Sequence, residues 1–514
     1  MKKLNALLFF CLLVLTAQAQ NRYLEPVFGE VTVTTNVPYG FNYTVLTAGI
    51  PAIAHTTRQP LICDIYQPTG DTEVKRPLIL MFHTGNFLPF VAGADGFSVN
   101  GSCGGSVRDS VLVETATRLA RMGYVVASCD YRSGWRPDAN DPNTGQLTRV
   151  FTLINAAYRG VQDSRTAARF FRKDAATTNT FRVDPDKFTV WGVGSGGYIA
   201  LATTTLDTIT DTWIPKFIAN IPGVGPVPMV QEGYNGNVDG TGPITKVDAL
   251  YNALTGLPVG DTLCMPNHVG YDSDFQLALN LGGAMGDTSW LDQGEVPMIS
   301  FHTPLDPYAP CEHGLVIVPG LNLPVVDVDG SCLVQSLVNN YGNNEVFDAV
   351  SSSDPYTVAA DAINGGWDGF FPVHRDTFDS APWEWTNGLP PARPTCNTNA
   401  VSSRLMLDTI IGYFAPRACF ALGLNCNLSN IEELSENDVN LKLFPNPAEN
   451  QVTIQTSEIF NEVEVFDIMG RIVSRNIGVK NNQLIIQTQN MPRGMYVAKL
   501  KFDNGFISKR FILK

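Results

Sequence analysis

Short apolar runs alternate with segments of helical periodicity through most of this chain, and this alternation constrains the fold more than any other feature. The apolar runs lie at 61–67, 77–82, 124–128, 188–191, 217–221 and 297–301. Runs this continuous are typical of strands buried on both faces of a parallel sheet. Helical spacing of apolar residues falls at 110–121, 155–173 and 401–414. The order β–α–β–α–β predicts a doubly wound α/β domain with a mostly parallel sheet.

The first 19 residues predict a cleaved signal peptide. Lys2 and Lys3 form the charged start, residues 4–15 are apolar apart from Asn5, and residues 17–19 (Ala-Gln-Ala) fit the cleavage pattern. The alternative is a membrane anchor, for which the apolar run is too short. We therefore expect an exported mature chain that begins at Gln20.

Charge is distributed unevenly along the 514 residues, whose formal net charge is −14. Residues 441–514 hold ten Lys or Arg and six Asp or Glu, a net of +4, and removal of the two leader lysines leaves −20 on residues 20–440. An acidic body repels phosphate, which argues against a nucleic-acid partner. No apolar stretch after the leader is long enough to span a bilayer, so no transmembrane anchor is expected.

Nine cysteines follow the leader, and export makes disulfides the expected state of several of them. Cys419 with Cys426 and Cys311 with Cys332 are candidate pairs, whereas Cys129 in an apolar run is predicted to be a buried thiol. The odd number leaves at least one cysteine without a partner in the chain. None has Cys-x-x-Cys spacing, so no structural zinc is expected. No cofactor is expected either.

Residues 441–514 predict a small all-β sandwich. Short β-prone runs, most of them alternating apolar and polar residues, lie between turn signals at 451–455, 462–467, 484–487 and 496–501.

Four segments of this tail, in order, resemble the C-terminal sorting domain of the type IX secretion system. They are Leu-Phe-Pro-Asn-Pro-Ala at 443–448, Val-Phe-Asp-Ile-Met-Gly-Arg at 465–471, Met-Pro-Arg-Gly-Met-Tyr-Val at 491–497 and a basic-apolar strand at the end of the sequence. The resemblance implies export across the outer membrane, with the secretion machinery as a partner of residues 441–514. The alternative is an adhesive or carbohydrate-binding sandwich. Residues 427–440 are expected to form an acidic linker.

Several segments of the body, residues 20–426, resemble α/β-hydrolases of the esterase and lipase type. They are Asp-Ile-Tyr-Gln-Pro at 64–68, the strand 77–82 with His-Thr-Gly-Asn at 83–86, the stretch 124–132, and Trp-Gly-Val-Gly-Ser-Gly-Gly-Tyr at 191–198. The resemblance implies an α/β-hydrolase fold. Two long stretches, 206–295 and about 315–366, are then expected to be cap-like insertions.

The strand-to-helix elbow departs from the family pattern Gly-x-Ser-x-Gly. The residues two positions either side of the nucleophile must be small, because helix and strand crowd there. Gly192 and Gly196 meet this requirement around Gly194, whereas centring the elbow on Ser195 would place the β-branched Val193 in a crowded position. Gly194 tolerates a positive φ but supplies no attacking oxygen.

The oxyanion segment of the family, His-Gly-Gly-Gly, has become His83-Thr84-Gly85-Asn86 here. The resemblance implies that N–H groups near Thr84, Gly85 and Gly196 would form the oxyanion hole. His83 is expected to support this loop structurally.

The resemblance also implies an acid and a base after the elbow. Asp306 follows the strand 297–301 and matches the family's acid, although an ordinary turn aspartate is the alternative. Chain order requires the histidine after it, which leaves His313 and His374. His313 is too close in sequence, so His374 is favoured. Glu312 with His313 is a weaker candidate for a metal site, and no metal is expected.

Three tryptophans near His374, namely Trp367, Trp383 and Trp385, predict either an aromatic mouth of the site or core packing.

Two hypotheses about the body therefore compete. In the first it is a secreted carboxylic ester hydrolase with Ser195 as nucleophile, His374 as base and Asp306 as orienting acid, acting on a small or polymeric ester. In the second it is a catalytically inactive hydrolase-like binding or surface protein, because Gly194 occupies the nucleophile position.

Overall fold

The computed structural model describes residues 21–46, 55–88, 105–221, 223–317, 321–352, 354–374, 380–385, 399–426, 432–468, 470–502 and 505–514. The expected signal peptide, Cys103, Cys396, Met469 and residues 427–431 of the expected linker lie outside these residues.

Within the described residues, eight strands form the central sheet of the body. They are β1 (Val31–Leu46), β2 (His55–Pro68), β3 (Arg76–Phe82), β4 (Val125–Cys129), β5 (Val183–Val193), β6 (Leu277–Leu281), β7 (Met298–His302) and β8 (Phe370–Pro372). Their order across the sheet is β1-β2-β4-β3-β5-β6-β7-β8. β2 is antiparallel to both neighbours, and the pairs from β4 to β8 are parallel. This is a large mixed sheet of an α/β-hydrolase-like fold.

The helices of the body cover both faces of this sheet. They are α1 (Ser110–Arg121), α2 (Gly145–Ala176), α3 (Ser195–Thr205), α4 (Ser331–Asn340), α5 (Pro355–Asn364) and α6 (Ala400–Ala421). The predicted helix 110–121 matches α1, and the predictions 155–173 and 401–414 lie within α2 and α6. None of the described helices is long and apolar enough to cross a membrane.

Strand β3 separates the two layers of the core. Leu80 and Phe82 pack in one apolar cluster with residues of α2 and α3, whereas Ile79 and Met81 pack in another with residues of α1 and α6. Successive residues of a strand point to opposite faces, so a strand buried on both faces needs a continuous apolar run. The parallel sheet therefore accounts for the apolar runs in the sequence.

One segment predicted to be a strand of the main sheet lies outside that sheet. Ile218–Ile221 pairs with Gly225–Pro228 in a separate hairpin, and β6 lies beside β5 in the main sheet instead. All five residues of β6 are buried, whereas three of the four in Ile218–Ile221 are partly or fully exposed. A central strand needs apolar side chains toward both layers, and the run 277–281 supplies them.

Smaller elements occupy parts of the two stretches predicted to be cap-like insertions, although the first stretch also supplies β6 to the central sheet and the second supplies α4 and α5. Short helices lie at Ile209–Thr212, Pro215–Phe217, Glu232–Asn235, Ala249–Thr255, Thr288–Trp290 and Glu345–Ala349. Thr245–Lys246 pairs with Thr262–Cys264, and His313–Ile317, Pro324–Gly330 and Ala284–Met285 form a three-stranded sheet.

Both candidate disulfides are present: Cys311 is bonded to Cys332, and Cys419 to Cys426. Among the described cysteines, Cys63, Cys129 and Cys264 are buried free thiols, which confirms the prediction for Cys129.

A separate antiparallel sheet forms the C-terminal part of the chain. Its strands are β9 (Glu432–Glu433), β10 (Lys442–Phe444), β11 (Gln451–Asp467), β12 (Ile472–Gln487), β13 (Gly494–Lys501) and β14 (Gly505–Leu513), with a short helix at Glu436–Val439. The order is β9-β14-β13-β11-β10, and β12 also pairs with β11; only β9 runs parallel to its neighbour. Alternate residues such as Val463, Val465, Ala498 and Leu500 fill a core of its own. This arrangement fits the predicted β-sandwich.

Candidate functional site

The elbow between β5 and α3 is centred on Gly194. Its φ of 56° and ψ of −115° lie in a region that favours glycine. A Cβ at Gly192 would lie 1.9 Å from the Gly196 carbonyl oxygen, and a Cβ at Gly196 would lie 2.1 Å from that of Phe82. Only glycine fits at both flanking positions, so the close approach of helix and strand sets the centre of the turn.

The hydroxyl of Thr84 fills the space beside Gly194. A Cβ at position 194 would lie 2.0 Å from Thr84 Oγ1 and 2.6 Å from Thr84 Cβ. Thr84 Oγ1 also accepts a hydrogen bond of 3.3 Å from the backbone N–H of Ser195. A side chain at the centre of the elbow is therefore excluded while Thr84 keeps this position.

Ser195 is the first residue of α3 and is buried. Its Oγ accepts a hydrogen bond of 3.1 Å from the backbone N–H of Asn86 and lies 2.9 Å from the hydroxyl of Tyr131. Asn86 and the following Phe87 both have positive φ, of 56° and 53°, which is uncommon for side-chain-bearing residues. This backbone conformation brings the loop after β3 onto the elbow.

Tyr131 contacts both the loop after β3 and Ser195 at the start of α3. Its hydroxyl donates to the carbonyl oxygen of His83 at 3.0 Å, and its ring stacks on the His83 imidazole. Burial raises the pKa of Tyr131, so its phenol stays protonated at neutral pH. Tyr131 can therefore hold Ser195 in place, but it cannot take a proton from it as a phenolate would.

His83 has a supporting position in the loop. Its Nε2 lies 3.2 Å from Asp130 Oδ1, and its Nδ1 contacts the carbonyl oxygen of Thr84. Both ring nitrogens are engaged by groups that shape the segment 83–86.

Asp306 lies just after β7 and faces the same cavity as the elbow. Its Oδ1 accepts hydrogen bonds of 2.7 Å from the N–H of Tyr308 and 3.0 Å from that of Ala309. These bonds form an Asx-type turn, which fixes the carboxylate at the end of the strand.

None of the described histidines is hydrogen-bonded to Ser195 Oγ. His374 follows β8 and is exposed. His302 is buried and bonded to Ser331 Oγ and the Ala309 carbonyl oxygen, and His313 Nδ1 lies 2.8 Å from Asp329 Oδ1. None of the described residues that line the cavity is a histidine.

A cavity of about 180 Å³ opens beside the elbow. Thr84, Gly194, Ser195 and Asp306 line it, whereas Gly85, Gly196 and His374 do not. Residues of both insertions complete the wall. Most of the lining is apolar, and its aromatic members include Phe87, Trp135, Tyr198, Phe217, Trp290 and Trp383.

Sequence reasoning missed most of this wall. Of the three tryptophans predicted near the site, only Trp383 lines the cavity, and Trp385 is buried. Tyr131 and Asn86 were not singled out, although both lie in segments that resemble the family. The available signal was their position in the sequence, because Tyr131 lies shortly after β4 and Asn86 shortly after β3.

No group of three or more His, Cys, Asp or Glu side chains that could hold a metal occurs in the described part of the chain. His313, part of the weaker metal candidate, is paired with Asp329.

Solved structures that resemble this chain include esterases. A truncated carbohydrate esterase from gut microbiota is 15% identical, with a TM-score of 0.29 over 60% of this chain and 84% of that one. Esterase 2 of Thermogutta terrifontis with bound propionate is 13% identical, with a TM-score of 0.35 over 78% of this chain and 97% of that one. Sequence identities and TM-scores this low do not indicate the function of this chain. A search of curated proteins found no match.

The C-terminal sheet has a clear match. The family model described as "Secretion system C-terminal sorting domain" matches residues 442–514, which agrees with the predicted start at residue 441. Residues 442–514 are therefore a sorting domain of this family, and they address the chain to the type IX secretion system for export to the cell surface or beyond.

Proposed function

We propose that the body is an exported binding protein that holds an apolar small molecule beside the elbow and does not hydrolyse esters through a serine. One observation carries the proposal. The turn position that would need an attacking oxygen is Gly194, and the Thr84 hydroxyl fills the space in which a side chain would begin. Without an oxygen at this position, the covalent route of serine esterases cannot start.

The nearby hydroxyl of Ser195 is a poor substitute. A serine nucleophile needs a base within hydrogen-bond reach of its Oγ. No imidazole or carboxylate of the described residues is bonded to this Oγ, whose partners are Asn86 N–H and Tyr131 OH. His374 is exposed and does not line the cavity.

The backbone donors of the site are also occupied. In this fold the oxyanion hole uses the N–H after the nucleophile and an N–H from the loop after the third strand. The corresponding N–H groups of Ser195 and Asn86 donate to Thr84 Oγ1 and Ser195 Oγ. A substrate oxygen would have to displace these hydroxyls, so the donors are not pre-arranged for a developing negative charge.

The lining of the cavity favours a compact, mostly hydrocarbon or aromatic ligand. Apolar walls gain free energy when they exclude water, whereas burying an unpaired charge costs several kcal/mol. The carboxylate of Asp306 in the wall disfavours an anion. Thr84 and Ser195 offer hydroxyl groups to one neutral polar group of the ligand.

Ester hydrolysis remains the second candidate because Ser195 and Asp306 line the same cavity. In that mechanism Ser195 would attack, His374 would act as base and Asp306 would orient it. Ser195 would have to leave Tyr131, and His374 would have to enter the cavity.

Fluorophosphonate labelling of the full chain without its leader distinguishes the two candidates. We expect neither wild type nor Ser195→Ala to be labelled or to cleave a short-chain p-nitrophenyl ester. Labelling of wild type that is abolished in Ser195→Ala would contradict the proposal and support the shifted nucleophile.

A matched pair of variants tests the role of Thr84. Gly194→Ser alone should lower the free energy of unfolding by about 1–3 kcal/mol because the new side chain overlaps Thr84. Thr84→Gly/Gly194→Ser should recover the part of this loss that comes from the overlap, while the strain of a side chain at the positive φ of position 194 remains; urea unfolding measures both, with Thr84→Gly as control. Equal stability of Gly194→Ser and wild type would show that Thr84 does not fill the position.

A further inference from the structure

The sorting domain contacts the body through a defined face. On the domain this docking face consists of Phe466, Ile468, Gly470, Ile472 and Val497, from the end of β11, the turn that follows, the start of β12, and β13. On the body it meets the outer side of α5 and the middle of α6.

We propose that the sorting domain is an intramolecular partner seated on α5 and α6 rather than a freely tethered tail, and that its removal uncovers an apolar patch on the body. The occupant of the patch is therefore the chain's own residues 442–514.

An apolar cluster spans the boundary between the two parts. Val358 of α5 packs with Phe466 and Val497 of the sorting domain, and all three are buried. The rings of Tyr356 and Phe466 meet edge to face, with centroids 5.5 Å apart. Because its buried cluster partners Phe466 and Val497 lie in the domain, the burial of Val358 depends on docking.

The turn of the domain also reaches the core of the body. Ile468 packs against the apolar cluster that contains residues of α1 and α6. This turn belongs to one of the segments that carry the sorting-domain resemblance, so a characteristic segment of the domain is covered while docked.

Two glycines shape the contact. A Cβ at Gly412 in α6 would lie 2.1 Å from a ring carbon of Tyr356, so the glycine lets the ring lie against the helix. A Cβ at Gly470 would lie 2.6 Å from Thr409 Cγ2, and Gly470 has a φ of 69°. Gly412 and Tyr356 both lie in the body, whereas the close approach of Gly470 to Thr409 crosses the boundary and is typical of specific packing rather than incidental contact.

Charge complements this packing. Burial raises the pKa of Asp361 on α5, and the guanidinium groups of Arg417 and then Arg510 of the domain oppose the rise. Burial also raises the pKa of Asp408 on α6, and Arg118 and more weakly Arg475 of the domain oppose it. Arg475 itself is paired with Glu462 and Glu464. The basic domain therefore places cations toward the acidic body.

Cysteine cross-linking in the full chain tests the inference. Val358→Cys/Val497→Cys should form an intramolecular disulfide, detected by non-reducing peptide mapping. The control pair is Val358→Cys/Ile477→Cys, because Ile477 is 70% exposed on the same domain. We expect about tenfold more cross-linked chain for the first pair, since docking raises the local concentration. Equal cross-linking of both pairs would overturn the proposal.

Hydrogen exchange provides a second measurement if the cysteine pair folds poorly. Val358→Asp should speed exchange of the amides in 466–472 about tenfold, because the docked face opens to solvent. Ile477→Asp, which changes an exposed side chain, should leave them unchanged. Unchanged exchange in folded Val358→Asp would contradict docking.

Discussion

At the residue scale, the elbow depends on how little space surrounds Gly194. Gly192 and Gly196 are required because an added Cβ would lie 1.9 and 2.1 Å from backbone oxygens, which follows from the close approach of strand and helix. The space at Gly194 is different, because a threonine from another loop occupies it. The Thr84 side chain thus both fills the space beside Gly194 and accepts the N–H of Ser195.

A buried histidine makes stability depend on pH. Burial lowers the pKa of His302 to about 4 from a usual value of 6.5. The folded state holds the ring neutral, so its contribution is complete above about pH 6.5 and is lost as the pH falls toward about 4. We expect acidification over this range to lower the free energy of unfolding by on the order of 3 kcal/mol through this residue.

Urea unfolding at a series of pH values measures this loss. The loss should shrink in His302→Gln and persist in His313→Gln, whose imidazole is 62% exposed. A pH dependence that is the same in wild type and His302→Gln would refute the assignment to His302.

At the element scale, the long helix α2 is tied to the loop after β4 by a buried ion pair. Arg132 Nε donates to Asp163 Oδ1 at 2.9 Å, and the Arg132 backbone N–H donates to Oδ2 at 2.7 Å. Both side chains are fully buried. The pair holds the helix beside Tyr131, which positions Ser195 in turn.

Breaking this pair should be costly. Asp163→Asn leaves the Arg132 guanidinium buried without its counter-charge, and we expect a loss of about 3–5 kcal/mol in the free energy of unfolding. Asp239→Asn is the matched control, because Asp239 pairs with Arg165 with its own side chain 39% exposed and should cost at most about 1 kcal/mol. Chemical denaturation measures both, and similar losses would contradict the importance of the buried pair.

At the scale of the whole molecule, the cavity exists only because distant parts of the chain meet. The elbow supplies one side, α2 and the first insertion supply another, and the second insertion closes it with Val316, Ile317, Val326 and Val328. The disulfide Cys311–Cys332 joins the start of that insertion's sheet to the start of α4. The binding site is thus a property of the assembled body.

Binding of a neutral apolar probe tests this arrangement. N-phenyl-1-naphthylamine should bind the full chain with enhanced fluorescence, and Ala157→Trp should weaken binding at least about tenfold by filling the cavity. Val401→Trp, at a side chain that is 67% exposed, is the control and should bind as wild type does. Equal affinity of the two variants would place the probe elsewhere.

Much of the fold was predictable because its signals are local. The helix 110–121 and the strands β2, β3, β4, β5 and β7 follow from periodicity, and the sorting domain follows from its segments, whereas β1, β6 and β8 were not predicted. The strand Ile218–Ile221 was assigned to the wrong sheet, because a short apolar run does not indicate which strands it pairs with. Chain order favoured His374 as the base, and this assignment stays a prediction for a residue that is exposed in the structure.

By itself, the sequence determined the layered α/β architecture, the C-terminal sorting domain and the centring of the elbow on Gly194, since each depends on residues close together in the chain. The tertiary structure alone decided that Thr84 fills that elbow, that Tyr131 and Asn86 engage Ser195, and that the sorting domain rests on α5 and α6. These contacts join residues far apart in sequence, and packing rather than local propensity selects them.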